Sequence, residues 1–434
     1  MQTVSIRYKQ SYIAHWITMP LDISQLISEA GTGNHDAQLQ LADLYESGFG
    51  VPVDIVQAAY WYRQAAEAGS AKAQNQLGQL FIKGRGVQQD YTQAYDWFSL
   101  SAKQNDEAAQ ANLAWCFQRG LGIEKNFSKA FEWYLKAAEN GHAGSRYNLA
   151  YMYAHGHGTD KNYEEAFKWY ARAARQGHVK AQLNAGLMCM NGQGTDENIE
   201  QAYDWYREAA LHGYDKAQYN LALMYAGGHA IEQDEEKAYE WHKKSAKQGY
   251  VKAQFSLGLL YMHGLGVEQD YARAAKWFHK AADQNYAKAN YQLGKIYMEG
   301  LGVPADVTKA ARLHQLAAEA GYAKAQYRFG RLFSKGLGVN RDEKTAYNWL
   351  REAAKQGHVK AQYATAIHRA KGIGVTKDYV KAYAWMMLAN QSQNPHVKEF
   401  LLKIGSKLTD VQIIEAKTLA DKWQTDQYHL TTAT

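Results

Sequence analysis

Apolar residues recur along this chain with the period of an α-helix, in short segments that come in pairs. In the first segment of one pair, Ala217, Leu221, Ala222 and Tyr225 follow the spacing i, i+4, i+5, i+8. On a helix this spacing gathers the four side chains on one face. The pattern predicts an amphipathic first helix in each pair, with its constant face buried.

The second segment of each pair carries apolar residues at i, i+3, i+4, i+7 and i+8, which is the stripe of a second amphipathic helix. In the first pair these are Ala58, Trp61, Tyr62, Ala65 and Ala66. Alanines allow helices to approach closely, and we expect the tryptophan to fill the space between neighbouring pairs. It returns at Trp97, Trp133, Trp169, Trp205, Trp241, Trp277, Trp349 and Trp385, with Leu313 in the eighth pair.

The pairs repeat every 36 residues without insertion or deletion. The small residue of the first segment stands at Ala37, Ala73, Ala109, Ser145, Ala181, Ala217, Ala253, Ala289, Ala325 and Ala361. A strict period of this length indicates stacked helical units, because each unit has an apolar face that only its neighbours cover. We predict an all-α fold, an α/α superhelical solenoid of about ten repeats. Its expected parts are an N-terminal segment and cap helix at 1–34, the repeats at 35–392 and a C-terminal helical cap at 393–434.

Turn and capping residues separate the predicted helices. Each first helix runs into a loop such as Gly264-Leu265-Gly266, where a positive φ favours glycine. An Asp or Asn then stands four residues before the second helix's first alanine, and we expect it to cap that helix. We also expect Asp22 and Thr409 to cap the first and last helices of the chain. The repeated caps are Asp54, Asp90, Asn126, Asn162, Asn198, Asp234, Asp270, Asp306, Asp342 and Asp378.

Together these motifs resemble the Sel-like repeat family, a relative of the tetratricopeptide repeat. The matching pattern is A-x-x-x-L-G-x-x-Y, G-x-G-V, D-x-x-x-A and W-Y-x-x-A-A-x-x-G, over residues 35 to about 392. Departures are local, as at Ser145, Ala230 and Arg369. The resemblance implies α/α hairpins wound into a superhelix. For function it implies bacterial adaptors in signalling, secretion, envelope function or host interaction.

Charge and cysteine content narrow the class of protein. The 49 Lys and Arg and 43 Asp and Glu are interspersed, which argues against a nucleic-acid partner. Cys116 and Cys189 stand where other repeats hold Leu, Met, Tyr or Phe, so we predict small apolar core residues rather than a disulfide.

No stretch approaches the ~20 apolar residues of a membrane span. We expect a cytoplasmic protein; the alternative, export, would use the apolar run before Met19, which His15 interrupts.

No cluster of catalytic residues recurs, so we predict neither an enzyme nor a cofactor. His155 and His157 share one loop and offer two metal ligands, which is too few for a metal site, so none is predicted. His242, His279 and His314 lie at or beside the tyrosine position of the second helix, where a packed or surface histidine is expected.

Lysines hold one repeated position near the start of the first helices. Such a row of positive charge suits an acidic peptide or a nucleic-acid backbone. The alternative is an ordinary solvated helix surface. The lysines are Lys72, Lys180, Lys216, Lys252, Lys288, Lys324 and Lys360.

The face of the first helix opposite its constant residues is the candidate partner-binding surface. In repeats four to seven it reads as an apolar strip, whereas earlier repeats offer Asp43 and Gln79 and later ones turn basic at Lys295 and Arg331. An exposed apolar strip marks a binding surface unless the superhelix buries it, and both outcomes remain open here. The predicted partner-binding residues are Tyr147, Tyr151, Leu183, Leu187, Met190, Tyr219, Leu223, Phe255, Leu259 and Met262.

We therefore expect a non-catalytic scaffold, an adaptor that binds a peptide or protein segment in a concave groove lined by first helices. One alternative is an exported envelope or host-interaction protein of the same fold. Another is a ligand-binding or enzyme-like solenoid.

Overall fold

The computed structural model describes residues 23–229, 231–390 and 395–432, with side chains in the last range for 396–425. Over these ranges the chain forms 23 α-helices and no strand, which confirms the prediction of an all-α repeat solenoid. Expectations that fall on Asp22 and Ala230 lie outside the described residues.

The helices follow one another in a regular order. Even numbers from α2 to α20 are the first helices of the ten repeats, and odd numbers from α3 to α21 are the second helices. The helices are α1 (Ile23–Gly31), α2 (His35–Ser47), α3 (Ile55–Glu67), α4 (Ala71–Lys83), α5 (Tyr91–Lys103), α6 (Glu107–Arg119), α7 (Phe127–Glu139), α8 (Ala143–His155), α9 (Tyr163–Arg175), α10 (Val179–Asn191), α11 (Ile199–Leu211), α12 (Asp215–Gly227), α13 (Glu235–Lys247), α14 (Val251–His263), α15 (Tyr271–Ala282), α16 (Ala287–Glu299), α17 (Val307–Glu319), α18 (Ala323–Lys335), α19 (Glu343–Lys355), α20 (Val359–Lys371), α21 (Tyr379–Ala389), α22 (Pro395–Gly405) and α23 (Asp410–Thr432).

The chain divides into two compact units, one ending at His212 and one beginning at Gly213. Inside each unit, the two helices of a repeat pack on each other, and each second helix packs on the next first helix. Each unit is therefore held by contacts between sequence neighbours, as expected of stacked repeats.

Every second helix begins at the predicted Asp or Asn, whose side chain accepts a backbone N–H. Asp54 Oδ1, for example, accepts from the N–H groups of Val56 and Gln57, each at 3.0 Å. Thr409 caps α23 as predicted, since its Oγ1 accepts from Gln412 N at 3.3 Å while Gln412 Oε1 accepts from Thr409 N at 3.0 Å. These bonds satisfy N–H groups that a helix start leaves unpaired.

The centre of each repeat is a second-helix side chain set against a small residue of the first helix. A Cβ added to Gly258 would lie 2.6 Å from Phe278 Cε1, which shows how closely the ring approaches. We call this second-helix position, one residue after the tryptophan, the ring position. It is buried in every repeat, including the two that hold an aliphatic side chain there. The tryptophans are less central: of those described, Trp169 and Trp385 are buried and the others keep part of the indole in solvent. The ring positions are Tyr62, Phe98, Tyr134, Tyr170, Tyr206, His242, Phe278, His314, Leu350 and Met386.

Pairs of one buried and one exposed glutamine join neighbouring repeats through uncharged hydrogen bonds. Gln254 Nε2 donates to the carbonyl oxygen of Ala246 at 3.4 Å, on the preceding second helix. Gln284 Nε2, at the end of the next second helix, donates to Gln254 Oε1 at 2.8 Å and to Gly249 O at 3.0 Å. Leaving such a buried amide unpaired costs roughly 1–3 kcal/mol. The same amide pair recurs as Gln104 with Gln74 in the first unit and Gln356 with Gln326 in the second.

The second glycine of the loop brings two repeats into backbone contact. Gly266 has a φ of +65°, and a Cβ there would lie 2.0 Å from the carbonyl oxygen of Glu235, at the start of the preceding second helix. No side chain fits at that distance. Gly264 has a φ of +69°, but its Cβ would meet Gln269 Cβ at 3.3 Å, which a small shift relieves.

We predict that Gly266→Ala destabilises the protein more than Gly264→Ala. Both substitutions place alanine at a left-handed φ, at roughly 1–2 kcal/mol each. Only the Gly266 variant also forces the loop away from Glu235. In urea denaturation followed by circular dichroism, the free energy of unfolding of Gly266→Ala should be at least ~1 kcal/mol lower than that of Gly264→Ala. Equal losses would contradict the backbone contact.

Two ring positions of the second unit hold histidine, as packed side chains. His242 is 2% exposed and His314 is fully buried. The pKa of each imidazole is lowered from 6.5 to about 4 by burial, with a smaller contribution from the positive charges of Arg328 and Lys295 in the case of His314. The folded imidazoles therefore stay neutral at pH values where the unfolded chain takes up protons. His279, beside the ring position, is only half-buried and contacts Tyr297 Oη through Nε2 at 3.1 Å.

Because the folded pKa is depressed, we predict that stability falls as the pH drops from about 6.5 towards 4. At ~1.4 kcal/mol per pKa unit, each histidine accounts for roughly 2–3 kcal/mol of this loss. The double variant H242Y/H314F introduces rings that other repeats carry at the same position. Urea unfolding at neutral and acidic pH should show a flatter dependence for the variant than for the wild type. Parallel pH profiles would mean that these two imidazoles titrate normally.

Candidate binding surface

The ten predicted partner-binding residues lie on α8 and α10 in the first unit and on α12 and α14 in the second. Leu187 and Leu223 are exposed, at 38% and 44%. Leu183 and Met262 are buried in the core, at 7% and 6%, so the strip is interrupted at both positions. An aliphatic side chain that reaches a neighbouring helix is stabilised by leaving water. The other six are half-buried: Tyr147, Tyr151, Met190, Tyr219, Phe255 and Leu259.

In the first unit, histidines cover the strip tyrosines. Tyr147 stacks on His178 with ring centroids 4.7 Å apart. Tyr151 stacks on His155 at 4.0 Å and lies 5.8 Å from His157. The loop histidines therefore serve as aromatic neighbours of Tyr151. Their role is packing at the edge of α8.

In the second unit, one pair of contacting aromatic rings recurs in successive repeats, and we call this row of pairs the aromatic ladder. Each pair joins the fifth residue of a first helix to the residue just before the next first helix. The ring centroids lie 5.3 Å apart in the first pair, 5.2 Å in the second, 5.4 Å in the third and 4.7 Å in the fourth. These pairs are Tyr219 with Tyr250, Phe255 with Tyr286, Tyr291 with Tyr322, and Tyr327 with His358.

Tyrosine is an unusual residue immediately before a helix, yet it recurs at that position in the second unit. Four first helices begin after a tyrosine that makes no capping hydrogen bond. Elsewhere the same position is occupied by a capping residue such as Asp106, whose Oδ1 accepts from Ala109 N at 2.7 Å. Losing such a cap costs about 1 kcal/mol. The four tyrosines are Tyr214, Tyr250, Tyr286 and Tyr322.

The ladder phenols lie close enough to influence one another. Burial raises the pKa of Tyr250, Tyr286 and Tyr322, and phenols of adjacent repeats raise each of them further. All three are therefore protonated at neutral pH. Each half-buried ring then presents an apolar edge together with a hydroxyl that both donates and accepts hydrogen bonds.

The repeat register matches one known family. Its model, described as the Sel1 repeat, covers ten consecutive segments, each starting at the first residue of a first helix. The segments are 35–70, 71–106, 107–142, 143–178, 179–214, 215–250, 251–286, 287–322, 323–358 and 359–391.

The chain belongs to the Sel1 repeat family.

Solved structures agree with this assignment. A protective antigen present in uropathogenic Escherichia coli strains, with an SLR fold, is 30% identical over 96% of this chain and 98% of its own, with a TM-score of 0.64. A Sel1 repeat protein from Oxalobacter formigenes is 32% identical over 71% of this chain and 90% of its own, with a TM-score of 0.60. The comparison with curated proteins gives no match.

The Sel1 repeat fold is generally a non-catalytic scaffold. Burial raises the pKa of the Cys116 thiol to about 12 and that of Cys189 to about 11, so neither is a thiolate at neutral pH. Both thiols are free and buried, as predicted. In the part of the chain that the structure describes, no three His, Cys, Asp or Glu side chains are grouped to hold a metal ion. Nor does any helix of the described ranges have the length and apolar content to cross a membrane.

Two small pockets open on the second unit of this Sel1 repeat protein. One, of about 270 Å³, lies among α15, α16 and α17, with His279, Asn290 and Leu316 in its wall. The other, of about 190 Å³, lies between α16 and α18, with Met298 and Tyr327 in its wall. Drug-sized ligands usually occupy pockets of ~300–1,000 Å³. Pockets of this size suit single side chains of a peptide.

Sequence reasoning missed the helix-start tyrosines. Their signal was present, because Tyr214, Tyr250, Tyr286 and Tyr322 stand 36 residues apart. The strip comprises only positions inside the first helices, whereas these tyrosines stand immediately before them.

Proposed function

We propose that this protein is a non-catalytic scaffold that binds a peptide or protein segment in a groove lined by first helices, with the aromatic ladder as its main docking surface. The observation that carries the proposal is the row of half-buried ladder tyrosines that replaces helix caps on α14, α16 and α18. Tyrosine is enriched at protein interfaces, where its ring and hydroxyl serve together.

Leucines on the same first helices also support this docking surface. Leu223 on α12 stands 44% exposed on the helix that also carries Tyr219. Leu259, at the same position of the next repeat, is half-buried. An apolar side chain beside aromatic rings offers a peptide a place to bury an apolar residue of its own.

We predict that Leu223→Ser weakens binding of peptides selected on the wild-type protein from a random displayed library. Truncating an interface residue commonly costs ~1.4 kcal/mol, or about tenfold in Kd, measured here by fluorescence anisotropy. Leu100→Ser is the matched control, because Leu100 is 45% exposed but lies on a second helix. Both variants should keep the wild-type melting temperature, since surface substitutions rarely exceed ~0.5 kcal/mol.

Two results would reject the docking surface. One is a library that yields no peptide for the folded protein. The other is loss of binding in the Leu100 variant with no change in the Leu223 variant. Tyr219 and Phe255 are poorer test positions, because their rings also pack on His242 and Phe278 and their replacement would disturb the core.

Origin and compartment are part of the proposal. A bacterial scaffold is supported by two bacterial structures with the same fold. A cytoplasmic location is supported by the two free thiols, Cys116 and Cys189, since reducing compartments keep cysteines unpaired.

A second candidate function is an exported or host-interacting role. It is favoured by one observation, that the Escherichia coli protein of similar fold is a protective antigen. Protease treatment of intact cells of the native host separates the two proposals. Protection of the protein until the cells are broken would support the cytoplasmic scaffold, whereas digestion in intact cells would support the exported role.

A further inference from the structure

Positive charge is concentrated on the first helices of repeats eight to ten. Helices α16, α18 and α20 carry nine Lys and Arg residues and a single carboxylate, Glu299. Helix α2, by contrast, carries three carboxylates and no Lys or Arg. The basic residues are Lys288, Lys295, Lys324, Arg328, Arg331, Lys335, Lys360, Arg369 and Lys371.

The centre of this charge is a small pocket beside α18. Arg328, Arg331 and Lys335 line the pocket of about 190 Å³. Within the described residues, no carboxylate lies within 4.0 Å of these three side chains or of Lys295. Arg331 Nη1 donates to Tyr327 Oη at 3.1 Å, and Arg328 Nε is buried without a hydrogen-bond partner. The cluster therefore holds donors that lack an acidic acceptor.

The floor of the same pocket is apolar. Met298 comes from α16, Leu332 from α18 and Leu337 from the following loop, and the ring of Tyr327 forms a wall. Leu332 is buried, whereas Leu337 is 42% exposed. A methionine and an aromatic ring adapt well to an inserted apolar side chain. The pocket thus combines an apolar floor with a basic rim.

We propose that the α16–α18 surface binds an acidic peptide segment of a partner protein, with one apolar side chain in the pocket and carboxylates on Arg328, Arg331 and Lys335. This inference rests on the proposed scaffold function and names the chemistry of the partner. Guanidinium groups bind carboxylates through paired hydrogen bonds, which suits the two arginines. A backbone-only contact with nucleic acid lacks an apolar side chain to insert beside Met298 and Leu332, so it would match the charge of the pocket and not its apolar lining.

The test uses the full-length chain and a fluorescent peptide of glutamates around one leucine. In anisotropy titrations at physiological salt, R331E/K335E should weaken binding by tenfold or more. The matched control is K276E/R312E, which makes the same charge change at two exposed residues of second helices α15 and α17. It should change Kd by no more than about threefold, because neither residue lines the pocket and salt screens interactions between separated surface charges.

Two further probes define the ligand. The same peptide with serine in place of leucine should bind more weakly to the wild type if the pocket takes an apolar side chain. An oligothymidylate should bind more weakly than the acidic peptide. Circular dichroism of each variant checks that the helices remain.

Several outcomes would overturn the inference. They are no binding of the acidic peptide, equal losses in the two double variants, equal binding of the leucine and serine peptides, or tighter binding of the oligothymidylate that R331E/K335E abolishes. The broader proposal fails separately. Library peptides that depend on Leu223 but not on Arg331 and Lys335 would reject the acidic site and keep the scaffold function, whereas failure to select any peptide would reject the scaffold function itself.

Discussion

Neighbouring repeats meet through backbone atoms, and this contact constrains the rest of the array. A Cβ on Gly122 or Gly266 would lie 2.0 Å from a carbonyl oxygen of the preceding repeat, Tyr91 or Glu235. The loop therefore cannot accept a side chain at this glycine without separating two repeats. Such a contact explains why the period stays at 36 residues without insertion. Within each unit it also sets successive first helices at a regular spacing, on which a repeating surface such as the aromatic ladder depends.

Features governed by local chemistry were predictable from the sequence. The caps at Asp54 and its equivalents, the glycine turns and the buried cysteines follow from a residue's own backbone preference or its place in the apolar stripe. The glutamine pairs were not predicted. Gln254 and Gln284 lie 30 residues apart, and glutamine ordinarily marks a solvated surface, so nothing local indicated that Gln254 would be buried and paired with the exposed Gln284.

The candidate surface was only partly predictable for a related reason. Counting apolar residues on one helix face predicts which way a side chain points. It does not predict how deeply that side chain is buried, because burial depends on the neighbouring helix. Leu223 and Leu183 read alike in the sequence, yet one is 44% exposed and the other 7%. Charge shows the same limit. A net charge of +6 over the whole chain hides the concentration of basic residues on α18, which appears only when charges are counted helix by helix.

The amide pairs that join the repeats carry no formal charge, and this has an evolutionary consequence. These amide contacts do not depend on the sign of the charges that the first helices display, so acidic side chains on α2 and basic ones on α18 are compatible with one framework. Point substitutions on the outward positions can then change which partners are recognised while folding is preserved. A gene of this kind can diversify its specificity one repeat at a time.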